Sequence, residues 1–370
     1  MSEIDYYEEV RQKLRLGKLA VPKHEKVIEV FKILWNKEDI RLLFHFDRAG
    51  KLLTAVKLAK RAGLEKSKVK EILKRLAAKG TIIKVGNSYG LLPLVPGIFE
   101  LYFLTCGDTE ENMKKVAKLL RTVFDTILPP MFFILKNPLF RPKLPYEAKE
   151  KLIQINKGIE TSKQVYPYEL VEELINRNDY FVGLRCQCRQ VGELAEEPCE
   201  KTPSELGCLA CGLIAKQLTS MGIGKELTKE EAIDLIKRAE KAGLVHCGAN
   251  SSGFETHILI CNCCECHCGM LRPTAQHGVP GVQRSNFFPK INPDLCVCCE
   301  TCAKKCPMTA IFHQWPFEAD SSDERMIILE KCLGCGVCAV NCPKNAIKME
   351  RVRDENPPKQ FALNINIFNP

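Results

Sequence analysis

Two runs of closely spaced cysteines carry the strongest chemical signal in this sequence. The first run contains Cys296, Cys299, Cys302 and Cys306, followed by Pro307. The second run repeats the spacing C-x2-C-x2-C-x3-C-P with Cys332, Cys335, Cys338, Cys342 and Pro343. A [4Fe–4S] cubane needs four thiolates, of which three neighbours along the chain surround one face and the fourth comes from elsewhere. The spacing therefore predicts two [4Fe–4S] clusters near the C-terminus.

A zinc ribbon built from C-x2-C pairs is the alternative interpretation of these runs. A structural zinc ion takes four ligands, often as two separated C-x2-C pairs. Each run here supplies four cysteines and a proline, which favours the iron–sulfur interpretation. Cys298 lies between two ligands of the first run, and we interpret it as a packed thiol outside the ligand sets.

Two further patches of cysteines lie in the middle of the chain. The first contains Cys186, Cys188, Cys199, Cys208 and Cys211. The second is the segment CNCCECHC, which contains Cys261, Cys263, Cys264, Cys266 and Cys268. Thiols packed this densely would be an oxidation hazard without a metal. We therefore expect the two patches to be two halves of a metal site.

The orientation of these thiols follows from the alternation of an extended chain. Cys186 and Cys188 would share one face, as would Cys261 and Cys263. The later thiols of the second patch, Cys264, Cys266 and Cys268, would then point to the opposite face.

The middle patches supply nine primary candidates for metal ligands. These are Cys186, Cys188, Cys199, Cys208, Cys261, Cys263, Cys264, Cys266 and Cys268. They predict at least one further iron–sulfur cluster, with two clusters, one larger assembly or structural zinc as alternatives. Cys211 and Cys247 are secondary candidates, and Cys211 also fits a core position. His267 is interpreted as a hydrogen-bond donor near the ligands or as a surface residue, and the isolated Cys106 as a core residue.

The elements that carry these residues begin with a helical N-terminal region. Leu52, Val56, Leu58 and Ala59 have roughly helical spacing, and Gly63 is expected to end that helix. A second helix with Ser67 as its N-cap and an apolar stripe is expected to end at Gly80. The segments TIIKV and SYGLL on either side of Gly86-Asn87 then predict a β-hairpin. This order of helix, turn, helix and two-stranded wing resembles a winged-helix domain.

Two later helices and the domain boundaries follow from the same signals. The segment TEENMKKVAKLLRTVF predicts an amphipathic helix. Thr228 and Glu231 form a capping box for a helix that Gly243 ends, between the two middle cysteine patches. We predict an α+β multidomain chain with four parts: a winged-helix-like domain at 1–105, a helical and cysteine-rich metal-binding domain at 106–285, a dicluster ferredoxin-like domain at 286–353, and a tail at 354–370.

The positive charge of the chain is concentrated in one segment. The net charge is +9, whereas the segment from Arg48 to Val85 holds twelve Lys and Arg against two Glu, or 12 − 2 = +10. Basic residues on or beside the second N-terminal helix are Lys66, Lys68, Lys70, Lys74, Arg75 and Lys79. They could neutralise DNA phosphates. The alternatives are a solvated helix face or a docking face for an acidic partner or a second protomer.

The termini and the hydropathy indicate a cytoplasmic protein. The N-terminal segment MSEIDYYEEV lacks the basic start and apolar centre of a secretory signal. No apolar stretch reaches the roughly 18 residues of a membrane span. Disulfides are rare in the cytoplasm, and the 21 cysteines are odd in number. Metal ligation is therefore the better explanation of the cysteines.

About seventy C-terminal residues resemble bacterial-type two-[4Fe–4S] ferredoxins. In those proteins the fourth cysteine of each run ligates the other cluster. The resemblance therefore implies one cluster on Cys296, Cys299, Cys302 and Cys342. It implies a second cluster on Cys332, Cys335, Cys338 and Cys306.

Over most of its length the chain also resembles a group of iron–sulfur proteins from anaerobes. The shared features are a winged-helix-like front, a C-x-C-R motif (Cys186, Cys188, Arg189), a spaced pair (Cys199, Cys208), an ICNCC patch (Ile260 to Cys264) and a dicluster ferredoxin tail. The resemblance implies cytoplasmic electron transfer with a partner oxidoreductase, and it implies no defined reaction.

Three functions are consistent with the sequence. The first is a relay of single low-potential electrons to a partner oxidoreductase or complex. The second is a redox-responsive DNA-binding regulator, and the third is an enzyme with an open iron site in the middle domain. No acid–base constellation, phosphate loop or dinucleotide fingerprint is present, so an electron-transfer subunit is favoured over an independent catalyst.

Overall fold

The computed structural model describes residues 4–15, 20–133, 138–153, 167–250, 259–314 and 325–358. The described chain separates into two compact units. The first unit consists of the residues up to Pro130 together with Arg189–Pro198, and the second of Met131–Cys188 and the residues from Cys199 onward. Most of the predicted C-terminal tail lies outside the described residues.

The first unit is built from helices around a small sheet. Its elements are α1 (Tyr6–Lys13), α2 (Glu25–Leu34), α3 (Lys37–Phe44), β1 (Leu52–Thr54), α4 (Ala55–Ala62), α5 (Lys66–Ala78), β2 (Ile82–Val85), β3 (Ser88–Leu91), α6 (Phe99–Thr105) and α7 (Glu110–Thr122). The sheet has the order β1-β3-β2, with both pairs antiparallel.

The predicted hairpin is confirmed, since β2 pairs with β3 from Ile82↔Leu91 to Val85↔Ser88. The prediction that Leu52 starts a helix is wrong. Thr54 accepts the backbone N–H of Lys57 and caps α4, so the residues before it stay extended and pair with β3. The role of Ser67 as an N-cap is also wrong, because α5 already begins at Lys66.

Cys106 is exposed, and the prediction that it is a core residue is therefore wrong. It follows the last turn of α6 in a left-handed conformation, with φ of 49°. The side-chain amide of Gln190 donates a hydrogen bond to its Sγ at 3.5 Å. The chain leaves the helix at this residue, which turns the thiol away from the apolar stripe of α6.

The remaining elements run from α8 to β13. They are α8 (Pro129–Phe132), β4 (Phe140–Pro142), α9 (Ala148–Lys151), α10 (Val171–Asn176), β5 (Phe181–Leu184), α11 (Gln187–Leu194), β6 (Cys208–Cys211), α12 (Gly212–Ser220), β7 (Lys225–Leu227), α13 (Lys229–Lys241), β8 (Val245–Ala249), β9 (Leu259–Cys263), α14 (Leu271–His277), β10 (Phe287–Ile291), α15 (Thr301–Lys305), β11 (Ile311–Gln314), β12 (Arg325–Ile328), α16 (Val337–Val340) and β13 (Ile347–Arg351).

A six-stranded sheet forms the centre of the second unit, in the order β4-β8-β9-β6-β5-β7. All its neighbouring strands are antiparallel. Helix α13 packs Leu235 and Ile236 against Phe181, Leu209 and Ile260 of this sheet. The predicted capping box of α13 is confirmed, because Thr228 and Glu231 each accept the other's backbone N–H. The sheet therefore has one face covered by α13.

The ferredoxin-like segment forms two antiparallel strand pairs. Strand β10 pairs with β13, and β11 pairs with β12. Its core joins Phe287, Cys302, Cys338 and Met349. Asn341 donates a hydrogen bond to the carbonyl of Glu240 at the end of α13, at 2.9 Å. This contact fixes the segment against the helix that covers the six-stranded sheet.

Helices and several small sheets alternate along the described chain, which confirms the α+β class. Among the described helices, none combines the length and the apolar character needed to cross a bilayer.

Candidate metal centres

Four thiols from the two cysteine runs converge on one pocket in the ferredoxin-like segment. Cys296, Cys299 and Cys302 of the first run line it together with Cys342 of the second. The cavity itself is small, about 20 Å³, and it opens to solvent. The backbone N–H of Ala346 donates to the Sγ of Cys342 at 3.3 Å. The pocket therefore brings together the first set of thiols that the ferredoxin resemblance implied.

The other four thiols also gather in one place. Cys332, Cys335 and Cys338 lie close enough to Cys306 for its charge to raise the pKa of each of them, after the larger effect of burial. Burial raises the pKa of Cys335 to about 12. Backbone N–H groups of Ala310 and Gly334 donate to the sulfurs of Cys306 and Cys332, each at 3.3 Å. The second implied set is thus also assembled.

Both sets fit a [4Fe–4S] cluster by the chemistry of their donors. Each offers four thiols and at least one amide N–H directed at a sulfur, the type of hydrogen bond that tunes iron–sulfur clusters. A buried thiol with a raised pKa keeps its proton until a metal replaces it. Metal binding to the buried thiols of these sites would therefore release their protons.

The two runs form an internal repeat of 36 residues, visible in the backbone as well as in the cysteines. Cys298 and Gly334 occupy equivalent positions with φ of 48° and 66°. A Cβ at Gly334 would collide with the carbonyl oxygen of Phe287, so only glycine fits there. Cys298 carries a side chain in the same left-handed conformation and is partly exposed.

The surroundings of the two sets differ in exposure. Cys299 is exposed, and next to it Leu295 and Val297 are 48% and 57% exposed. Cys332 and Cys338 of the second set are instead buried, with exposed fractions of 8% and 7%. Cys302 of the first set is equally buried, at 8% exposed. The first set therefore reaches the surface only at Cys299, beside an apolar rim of Leu295 and Val297, whereas the second set has no exposed thiol.

The six-stranded sheet collects thiols of both middle patches on one face. Strands β6 and β9 pair at Leu209↔Ile260, and continuing this register by one residue places Cys208 opposite Cys261. Strands β8 and β9 pair at Cys247↔Cys261. These three cysteines form a row across adjacent strands, and Cys263 lies on the same face two residues after Cys261.

Six of the nine predicted middle ligands form a closed ring. Each ring thiol is within hydrogen-bonding reach of two others, in the order Cys186, Cys188, Cys268, Cys263, Cys261, Cys208 and back to Cys186. We call this set the thiol ring. Gly207 permits the closure, because a Cβ there would collide with the backbone N of Cys186. Thiol contacts and burial raise the pKa of Cys188 and Cys208.

Cys247 connects the thiol ring to the ferredoxin-like segment. It is fully buried, and its thiol hydrogen-bonds with Cys263 of the ring. Cys335 of the second ferredoxin set lies close enough to raise the pKa of Cys247. The sequence ranked Cys247 as a secondary candidate, since it stands alone in the chain. The pairing of β8 with β9, which sets Cys247 opposite Cys261, shows that Cys247 lies beside the thiol ring.

The other three predicted ligands form a separate group. The Sγ atoms of Cys199, Cys264 and Cys266 all lie within 4.8 Å of one another, with 3.2 Å between Cys199 and Cys266. Thiol hydrogen bonds from Cys264 and Cys266, with backbone N–H groups of Thr202 and Lys201, hold the pKa of Cys199 well below its usual value. We call this set the three-thiol group.

The predicted alternation of CNCCECHC holds only as far as Cys263. Strand β9 ends there and a turn follows. The prediction that Cys268 shares a face with Cys264 and Cys266 is wrong, because the turn returns Cys268 to the thiol ring. Cys211 lies in β6. It faces the apolar core with Leu209, as a core residue would. His267 is buried, so it is no surface residue.

Polar side chains next to the ring cysteines in sequence fix the sheet. The Oδ1 of Asn262 accepts a hydrogen bond from Nδ1 of His246 at 2.7 Å, and its amide nitrogen donates to the carbonyl of Gly207. His246 Nε2 contacts Glu240 of α13 at 3.2 Å. Sequence reasoning missed these positioning residues. The position of a polar Asn262 between Cys261 and Cys263 in an apolar strand was the signal that could have identified these residues.

Comparison with known proteins gives one result. The family model for the 4Fe–4S binding domain matches residues 326–348, which contain the second cysteine run up to Cys342. No curated protein and no solved structure matches the chain significantly. The match confirms a ferredoxin-type domain near the C-terminus. Together with the cysteine-rich region it indicates that the chain binds iron–sulfur clusters.

Proposed function

We propose that this protein is an electron-transfer protein that passes single electrons between a partner oxidoreductase and an iron–sulfur centre held by the thiol ring. The observation that carries the proposal is the continuous series of cysteine sets from the surface at Cys299 to the ring. When bound, [4Fe–4S] clusters accept and release single electrons at potentials set by their surroundings. The chain supplies the ligands, the amide donors and the dry environment.

The exposed first set supports a docking site for the redox partner. The exposed apolar side chains of Leu295 and Val297 are near Cys299 in the chain, and Val297 lines the same pocket. A partner that covers this rim would exclude water from the closest approach to the cluster site. Exposed apolar residues around a buried centre are typical of such interfaces. We therefore assign electron exchange with the partner to this surface.

The interior side of the ferredoxin-like segment supports a connection to the ring. Cys335 belongs to the second set, Cys247 lies near it, and Cys263 contacts Cys247. All three thiols are in the second compact unit, and Cys247 and Cys263 are buried. This side therefore gives a through-space route between the ferredoxin-like segment and the middle patches.

The thiol ring supports an iron–sulfur assembly beyond the two ferredoxin clusters. One cubane needs four thiolates, whereas the ring offers six and Cys247 a seventh. The surplus fits two clusters or one larger assembly better than a single structural zinc ion. We propose at least one further cluster here.

The inventory of iron and sulfide tests this function. Anaerobically purified full-length protein should contain at least twelve iron atoms per chain, about eight of them in the ferredoxin-like segment. The double variant Cys261→Ser with Cys263→Ser should lose at least four irons and keep about eight. Cys211→Ser is the matched control, because Cys211 lies in the core outside the ring. Unchanged iron in the double variant would contradict the ring assignment.

DNA binding by the first unit remains a second candidate, supported by one observation. Lys66, Lys70 and Lys74 form an exposed stripe on α5. The other basic residues are engaged, since Lys68, Arg75 and Lys79 pair with Glu38, Asp39 and Asp108. A salt-titrated gel shift tests it. Retardation that the triple change of the stripe to Gln abolishes would support DNA binding, and no retardation at low salt would exclude it.

A further inference from the structure

The three-thiol group differs from the other cysteine sets in how closely its sulfurs approach. Cys199, Cys264 and Cys266 bring all three Sγ atoms within 4.8 Å of one another. Among the described residues, this is the one set of three or more His, Cys, Asp or Glu ligand atoms that meets this distance. The two ferredoxin sets are therefore more widely spaced in the same structure.

The spacing discriminates between a cluster and a single ion. In a cubane each thiolate binds a different iron, and the irons and sulfides between them hold the thiolates apart. Around one tetrahedral zinc ion with metal–sulfur bonds of about 2.3 Å, the sulfurs lie roughly 3.8 Å apart. The range from 3.2 Å to within 4.8 Å surrounds this value.

The fold fixes the three thiols from two directions. Cys264 and Cys266 lie in the turn that follows β9, and Cys264 packs on Ala239 and Leu244 beside the end of α13. Lys201 pairs with Glu265 at 2.8 Å, which ties the loop of Cys199 to that turn. Lys201 also donates to the carbonyl of Gly243 at 3.4 Å. The packing of Cys264 beside the end of α13 and the ion pair between Lys201 and Glu265 therefore position the three-thiol group.

We propose that Cys199, Cys264 and Cys266 hold a single thiophilic divalent cation, zinc or ferrous iron, separate from the iron–sulfur assembly of the thiol ring. Within the described chain no fourth His, Cys, Asp or Glu atom comes within the same distance of all three. The fourth coordination position is therefore available to water or an external ligand, as in reactive rather than structural zinc sites.

The metal content of anaerobic full-length protein tests the proposal, independently of the cluster count. We expect one zinc ion, or one mononuclear ferrous ion in the Mössbauer spectrum, per chain. The double variant Cys264→Ser with Cys266→Ser should lose this ion and keep the cluster iron and sulfide. Cys106→Ser is the control, because Cys106 is an exposed thiol in the other unit.

X-ray absorption of the wild-type protein tests the same site without any variant that could misfold. For zinc we expect three sulfur atoms near 2.3 Å and one lighter ligand. A four-sulfur shell would overturn the open position. Loss of about four irons with four sulfides in the double variant would show a cubane instead. A disulfide between Cys199 and Cys266 without bound metal would also overturn the proposal.

Discussion

The two cysteine runs of the ferredoxin-like segment have one spacing and two environments. In the first half Cys299 is exposed, and Val297 is 57% exposed beside it. In the second half Cys338 is buried, with an exposed fraction of 7%. Cys335 lies close enough to Cys247 of the middle region to raise its pKa. The strands, the short helices and the left-handed positions are nevertheless repeated at an interval of 36 residues.

The comparison shows that spacing and environment carry different information. Cysteine spacing decides which thiols gather around a cluster, since both halves assemble four of them. The residues around the thiols decide whether a cluster site faces a partner or the interior. The second half needs glycine at 334 and 336 because other backbone and Pro145 approach closely, whereas the first half has Cys298 and Glu300 there.

The largest difference is expected between ligand variants of the two halves. Cys338→Ala and Cys299→Ala should each lose about four irons per chain. Cys338 also packs in the core with Phe287 and Met349, so its variant should melt lower by roughly 5 °C more than the Cys299 variant. Iron analysis and thermal unfolding check this. Equal melting temperatures would remove the distinction between an interior and a surface half.

A second test compares the equivalent positions 334 and 298. Gly334→Ala should destabilise the second unit by about 3 kcal/mol, because the new Cβ meets the carbonyl of Phe287 at positive φ. Cys298→Ala removes only the sulfur from a residue that already has a Cβ in this conformation, and should cost less than about 1 kcal/mol. Denaturant unfolding measures both. A tolerated alanine at 334 would show that the halves are equivalent.

The apolar rim of the first half offers a functional test. Val297→Glu should lower the second-order rate of electron uptake from a reduced ferredoxin, used as probe donor in stopped flow, by about tenfold. The iron content should not change. The control Leu213→Glu alters a similarly exposed apolar side chain, 61% exposed on α12, and should leave the rate unaffected. Equal rates for both variants would exclude the rim as the docking surface.

The smallest expected effect is a gain in stability. Cys298→Gly should stabilise the second unit by about 1 kcal/mol, since glycine adopts the left-handed conformation of this residue without strain. Unfolding midpoints of metal-loaded protein check the sign. A loss of stability would indicate that the Cys298 thiol contributes more than its backbone costs.

The sequence predicted well where local rules determine the structure. The hairpin at Gly86-Asn87 and the capping box of α13 depend on neighbouring residues, and both are confirmed. Long-range register was not accessible from one sequence. The pairing of β9 with both β6 and β8 places Cys247 beside the ring thiols, although it is isolated in the chain.

Turns limited the prediction of the middle site. The alternation of CNCCECHC assumed an extended chain, and the turn after Cys263 separates Cys264 and Cys266 from Cys268. Nine candidate ligands therefore divide into six ring thiols and the three-thiol group. Their residue types predict metal chemistry, but their grouping depends on tertiary structure.

The most direct measurement is the iron and acid-labile sulfide content of anaerobically purified full-length protein, combined with low-temperature EPR of the reduced state. The account predicts at least twelve iron atoms per chain and signals from more than two interacting [4Fe–4S] clusters. Colourless protein, zinc as the sole metal, or a total of about eight irons with two cluster signals would contradict an electron path that reaches the thiol ring.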